Sequence, residues 1–369
     1  MERKPFDKSE LTCSGIYPQW ANPMNPQGAA DPKRNLPVTP KENFRLALTG
    51  QTPWWMPYPG WSNCDVLVFR PRMHPDNVVT HLVFDGEPLY PYQDNSMRSS
   101  WYDLVWDYVP EVGGATVHPG NPKIPDISEW EKYVALPDLD DLDWEGCAAA
   151  NREFCDSDKM VQLGILSGFW ERLMSLMDVE NAAVALIDEE QQPGVHRFLD
   201  RHTDLLIRYV DRMTQILPID NVLVHDDWGH QNGPFFSPDV CREMIVPYLK
   251  RLTDFCHGKG LTFELHSCGK NETLVPCMIE AGVDLWAGQT AINDMERLAE
   301  QYKDQPILFE LSAPAVPEGA EEQEIREIAR AFVLRHKNHR VGLLKRGASQ
   351  AFLDAIYEYS RRLYSGEIL

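Results

Sequence analysis

From Met160 to the carboxyl terminus, short apolar runs alternate with longer amphipathic segments, and this alternation limits what the chain can become. The runs are Val161 to Leu166, Asn221 to His225, Leu261 to His266, Val283 to Ala287, Pro306 to Glu310 and Val341 to Leu344. Each has the length and composition of a buried strand. Helical patterns separate them: Phe198 to Leu217, Asp239 to Gly258, Asn271 to Ala281, Asp294 to Tyr302, Glu322 to Arg335 and Gln350 to Tyr364. Strand, helix and strand repeated in this way imply right-handed crossovers and a parallel sheet. Six such units, with two less regular ones before them, predict an α/β fold of the (β/α)8 barrel type, a TIM barrel.

The earlier chain is less periodic. Residues 1–38 are rich in Pro, Asn and Gly and read as an extended arm that folds over the body or reaches a second subunit, which makes a homodimer plausible. The barrel domain then spans 39–369. Thr39 and Glu42 have the spacing of a capping box, Pro40 occupies the first helical position, and Gly50 ends the helix. The segment PWWMPYPG, Pro53 to Gly60, reads as a first strand running into a loop, and Val66 to Phe69 and Thr80 to Phe84 as further strand-like pieces. The acidic stretch PDLDDLDWE from Pro137 reads as a solvated linker ending in a helix N-terminus, where carboxylates meet the positive end of the dipole. Calcium binding is the sharper alternative, but the loop glycine is missing.

Charge removes several function classes. Acidic residues outnumber basic ones 56 to 35, a net charge of -21, which disfavours nucleic acid and anionic membranes as partners. No apolar run approaches the length of a membrane span, and no secretory leader pattern opens the chain, so a cytoplasmic location is expected. Eight cysteines scattered over 369 residues do not form a disulfide framework and are expected as free thiols.

A barrel of this type carries its active site at the carboxyl ends of its strands. Asp226 and Asp227, His266 and Cys268, Gln289, Glu310, and Lys345 with Arg346 all fall there. His266 and Cys268 share one face of their strand, and imidazole with thiolate is a zinc-type ligand pair. A half-buried histidine beside an inert buried cysteine is the bland alternative. Glu264 shares that face one step lower. It either orients His266 or pairs elsewhere in the barrel core.

Three segments carry a resemblance: TPKENFRLALTG, DDWGHQNGPFFSPDVCREMIVPYLKRL from Asp226, and LHSCGKNETLVPCMIEAGVDLWAGQ from Leu265. With them the chain resembles the uroporphyrinogen decarboxylase superfamily, and within it the corrinoid-dependent methyltransferases and demethylases. True decarboxylases carry arginines after the first strand that hold the propionates of their substrate. This chain has Trp54, Trp55 and Tyr58 there. The resemblance therefore implies methyl transfer before decarboxylation, with a small methyl donor of the methoxy-aromatic or methylamine type. No D-x-H-x-x-G corrinoid motif is found, so the corrinoid is expected on a partner protein.

In similar methyltransferases a histidine and a cysteine two apart bind zinc together with a later cysteine. His266 and Cys268 match the first two, but no cysteine follows Cys277. Some relatives place an acidic ligand where this chain has Gln289, and a demethylase-like branch shares the glutamine. Glu310, Gln289 or Asp226 is then expected to complete the coordination, Glu310 foremost. Asp226 is expected to serve the chemistry, with Asp227, Gln231 and Gln289 as substrate contacts. Trp54, Trp55, Tyr58 and Trp228 are candidates for an aromatic wall around a methoxylated ring or a methylammonium group, or for plain core. Two further readings stand beside methyl transfer. One is a decarboxylase of a smaller acid, and the other a noncatalytic binding protein.

Overall fold

The computed structural model describes residues 3–17, 32–59, 66–69, 96–98, 101–109, 114–156, 158–345 and 347–369. Seven parallel strands form one sheet: β1 Val66–Phe69, β2 Met160–Ile165, β3 Asn221–His225, β4 Thr262–Ser267, β5 Leu285–Gly288, β6 Leu308–Ser312 and β7 Val341–Leu344. Their spatial order is their chain order, as expected when each crossover returns beside the strand just left. The Pro53 to Gly60 segment forms no regular strand among the described residues. It nevertheless lies against β7, where the Leu343 N–H donates to the Pro57 carbonyl at 2.9 Å. Pro57 and Pro59 have no N–H to return such bonds, so the contact stays one-sided. Gly342 is required at this seam, since a Cβ would fall 2.3 Å from Pro59 Cδ. This is the architecture of a (β/α)8 barrel.

Local chemistry sets the helices. Thr39 and Glu42 form the reciprocal capping box, and Pro40–Leu48 is the helix it starts. Asp143 caps Trp144–Cys155 by accepting the Gly146 N–H at 2.8 Å, which ends the acidic linker as expected. The predicted helix over 239–258 is two helices, Pro238–Met244 and Val246–Gly258. Pro247 cannot donate back to the preceding turn, and the chain breaks there. Pro276 likewise splits the 271–281 segment into a short 3-10 turn, Glu272–Leu274, and a helix, Val275–Glu280.

The arm is partly regular: Cys13–Ile16 pairs antiparallel with Pro32–Arg34. Its described residues pack on the last helix, Gln350–Tyr364. There the buried Glu10 accepts from Arg361 Nε at 3.1 Å and from the Tyr357 hydroxyl at 2.6 Å. The expected strand Thr80 to Phe84 and the rim residue Arg346 lie outside the described residues.

Two cores result. The larger fills the space between sheet and helices. The smaller plugs the barrel floor with Phe44, Ala47 and Leu48 from the first helix against Met160, Leu285, Ala287 and Leu308 from the strands. Above this plug the interior turns polar. Gln162 Nε2 donates to Glu264 Oε2 at 2.7 Å and to Asn221 Oδ1 at 2.6 Å, and Asn221 Nδ2 donates to Thr262 Oγ1 at 2.8 Å. Glu310 joins this layer, because the Glu264 carboxyl acts on it.

Burial pushes the Glu264 carboxyl up to about 7, and burial with Glu264 as neighbour pushes Glu310 well above the usual range. A carboxyl raised in the folded state binds a proton that the unfolded chain has released. Its cost to stability is therefore absent below about pH 4.3, grows with rising pH and is complete above about pH 7. Glu264→Gln keeps the acceptor for Gln162 and removes the charge. Thermal unfolding followed between pH 5 and 8 should show wild-type stability falling by on the order of 3 kcal/mol more than that of E264Q. Parallel profiles would exclude Glu264 as the source.

Candidate active site at the carboxyl end of the barrel

The site is built from the turns that follow β3 and β4. Gly269 has a φ of 96°, and a Cβ there would lie 2.2 Å from the carbonyl carbon of Gly229. Gly229 is hemmed in equally, with Asn271 Oδ1 at 2.3 Å from its would-be Cβ. The two turns therefore touch backbone to backbone, which only glycine permits. Polar bonds lock this approach: Lys270 N–H to the His230 carbonyl at 2.9 Å, Trp228 N–H to Ser267 Oγ at 3.0 Å, and Asn271 Nδ2 to the Cys268 carbonyl at 2.6 Å. From the next turn, Gln289 Oε1 accepts the Gly269 N–H at 2.9 Å, and Asn293 Nδ2 donates to the Gly269 carbonyl at 2.9 Å.

This clamp brings three potential ligands together. The atoms offered by Asp227, His266 and Cys268 all lie within 4.8 Å of one another. His266 Nε2 stands 3.3 Å from Cys268 Sγ and 3.9 Å from Asp227 Oδ1, which also accepts the Cys268 N–H at 2.6 Å. The His266 and Asp227 side chains remain 21% and 33% exposed, so the trio opens to solvent. Burial and the Asp227 carboxylate push the Cys268 thiol up, and it stays protonated at neutral pH. His225, the register partner of His266 on β3, places its ring centroid 4.7 Å from that of His266.

Comparison with known proteins bears on the family and the fold. The uroporphyrinogen decarboxylase (URO-D) family model matches residues 108–342, well over half of the chain. The chain belongs to the uroporphyrinogen decarboxylase family. Among solved structures, a methyltransferase from Methanosarcina mazei is 15% identical, with a TM-score of 0.55 over 89% of this chain and 99% of its own. At that identity the likeness establishes the barrel fold alone. A sugar phosphate isomerase/epimerase from Parabacteroides distasonis is 10% identical over 63% of this chain and 78% of its own, with a TM-score of 0.28, and adds nothing to the assignment. A comparison with curated protein sequences finds no match.

Several expected site residues of this URO-D family chain sit elsewhere. Asp226 is fully buried and is spent on structure: it accepts the N–H of Trp170 at 3.2 Å, the N–H of Glu171 at 2.8 Å and the indole N–H of Trp228 at 2.8 Å. Burial raises its carboxyl to about 6 against the pull of these donors. Asp227, one residue on, is the aspartate at the trio, since adjacent side chains leave an extended backbone on opposite sides. Glu310 is not with the trio either. It lies in the polar layer of the barrel interior, where its Oε1 has no hydrogen-bond partner among the described residues.

The aromatic wall is likewise core. Trp228 is fully buried on Asp226. The backbone N–H groups of Trp54 and Trp55 donate to Asn43 Oδ1, and the Trp55 ring packs on Tyr357 with centroids 5.4 Å apart. The Tyr58 hydroxyl donates to the Leu353 carbonyl at 3.0 Å, and Lys345 Nζ lies 4.9 Å from the centre of its ring. Gln231 is exposed at the tip of the hairpin between Gly229–His230 and Gly233–Pro234. Cys277 is buried, with its thiol toward the Pro238 carbonyl.

Two neighbours escaped the sequence reading. Glu171 is the second residue of a helix, Trp170–Met177, that has no counterpart among the expected helices, and its carboxyl accepts the Asp227 N–H. Burial, then Asp227 and Asp226, push it well above the carboxylate range. His202 donates from Nε2 to the Gly168 carbonyl at 3.1 Å and accepts the Tyr102 hydroxyl at Nδ1, 2.9 Å away. Burial lowers it to about 3, so it is neutral and its tautomer is fixed. It holds the Ser167–Gly168 turn, which passes so close to Asp226 that a Cβ on Gly168 would lie 2.9 Å from the Asp226 Cβ.

Asp226→Asn turns one acceptor oxygen into a donor that faces three N–H groups. Chemical unfolding should show a loss of about 2–4 kcal/mol. Wild-type stability in D226N would mean that the helix is anchored by something else.

Proposed function

We propose that this chain is a methyltransferase that moves a methyl group between a small methylated substrate and a corrinoid carried by a partner protein, with zinc held by Asp227, His266 and Cys268. The trio carries the reading. One oxygen, one nitrogen and one sulfur donor from three side chains, open on one side, is the donor set of a catalytic zinc site that keeps its fourth position for substrate. Membership of the URO-D family and the fold shared with a methyltransferase support the same reading.

When bound, zinc would supply Lewis acidity to a methyl-bearing heteroatom or hold a substrate thiol as thiolate. The chain's own residues do the rest. The Cys268 N–H bond fixes the Asp227 carboxylate, and the Gly229 and Gly269 contact fixes both turns. Glu171, its carboxyl pushed well above the usual range by burial and then by Asp227 and Asp226, stands beside Asp227 as the group suited to exchange a proton within the site. Decarboxylation of a small acid is less well supported, because Asp227 adds an acidic group to the trio itself, which disfavours an anionic substrate.

Metal uptake must strip the Cys268 thiol of its proton, so affinity should rise with pH. Chelator competition between pH 6 and 8 should show zinc binding tightening about tenfold per pH unit in wild type, and by much less in Cys268→Ser. A flat wild-type profile would remove Cys268 from the ligand set.

Activity gives the direct test. Zinc-loaded protein mixed with a reduced corrinoid protein and methoxylated or methylaminated donors should produce methylcobalamin absorbance. Asp227→Ala, His266→Ala and Cys268→Ala should each lower the rate at least about 100-fold. Absence of methylcobalamin across the donor panel, or full activity in H266A, would defeat the proposal.

A further inference from the structure

Inside the barrel, below the trio, lie two buried carboxyls that methyl transfer alone does not explain. Glu264 precedes His266 by two residues on the same face of β4, about 7 Å lower at the rise of a strand. Glu310 is its neighbour in the layer and is 4% exposed, while Glu264 is 2% exposed. Buried carboxyls are ordinarily matched by donors or by a cation. Here Glu264 Oε2 has the Gln162 amide, but Glu310 Oε1 has no hydrogen-bond partner among the described residues. Neither carboxyl has an ion pair there. The residue paired with Glu310 on β7 is Gly342, which offers no side-chain donor. The rest of the layer, Gln162, Asn221 and Thr262, is bonded within itself.

What is missing is a group that donates hydrogen bonds and carries positive charge. A protonated amine supplies both, whereas a quaternary ammonium or a neutral ether supplies at most one. We propose that the methylated substrate carries a protonated amine, whose N–H groups donate to Glu310 and Glu264 within the barrel while its methyl-bearing end stays at Asp227, His266 and Cys268. The proposal rests on the methyltransferase reading for the methyl-bearing end and on the buried acids alone for the ammonium end. It narrows the substrate class to methylated compounds with a basic nitrogen a short chain away from the reacting heteroatom.

The test compares two probes of equal shape by calorimetry on the zinc-loaded full chain at neutral pH: 2-methoxyethylamine, which is then an ammonium ion, and its neutral isostere 1-methoxypropane. The amine should bind at least about tenfold more tightly. Glu310→Gln should abolish the preference while keeping the zinc content of wild type and melting no lower, and His266→Ala should retain it. Equal binding of both probes, no binding of the amine at millimolar concentration, or a preference that survives E310Q would overturn the proposal. So would a preference lost in H266A. The comparison within wild type needs no variant and stands even if E310Q fails to fold. The methyltransferase reading fails separately: a clear amine preference without methylcobalamin from any donor leaves the ammonium site standing. Methylcobalamin from neutral methoxybenzenes without an amine preference leaves only the methyl transfer.

Discussion

The site depends on the contact between the Gly229 and Gly269 backbones. Strands β3 and β4 are neighbours in the sheet, but adjacency brings only His225 and His266 into register. Asp227 and Cys268 lie beyond the strand ends, where the ladder no longer controls position. Their meeting requires the two turns to press closer than any side chain would allow. Once they do, the Cys268 N–H finds Asp227 Oδ1, and the trio follows from backbone geometry. Asn271, Asn293 and Gln289 then saturate the carbonyl and N–H groups that the turn leaves without strand partners.

A second constraint runs through Asp226. Its fully buried carboxylate holds the first N–H groups of the helix Trp170–Met177 and the Trp228 indole, so the turn after β3 and the segment after β2 are fixed to one another. Both consecutive aspartates are thereby committed, one to architecture and the other to the open face. The neutral His202 supports the same turn from below through the Gly168 carbonyl. Glu171 arrives at the site as a consequence of this anchoring.

The strand and helix order was legible because it is written in local periodicity, and so were the capping box at Thr39 and the pair His266 and Cys268. Strands β5 and β6 start about two residues later than the apolar runs do. The left-handed Gly282 and the bond from Val283 N–H to the Met278 carbonyl use up the first residues in the turn. The helix Trp170–Met177 was not legible, since its N-terminus is capped by a side chain 56 residues away and not by a neighbour. For the same reason the choice between Asp226 and Asp227 could not be made from spacing. Both are polar residues at a strand end, and only the position of the distant helix decides which one is used up. Glu310 at a later strand end was the expected third ligand, yet the acidic side chain that lies with His266 and Cys268 is Asp227, in the turn after β3.

The acids of this barrel break the usual economy of a folded core. Glu264 and Glu310 inside it, and Asp226 and Glu171 above them, all have carboxyls raised by burial. Arg172 is a cation that acts on Glu171 in this group. Apolar residues would fill a barrel interior at lower cost, as Met160, Leu285 and Leu308 do on the floor below. On the proposed reading, a positively charged occupant regains the stability that this layer gives up when empty. The Asp227, His266 and Cys268 trio and the Glu264 and Glu310 pair are therefore two acidic levels of one barrel interior.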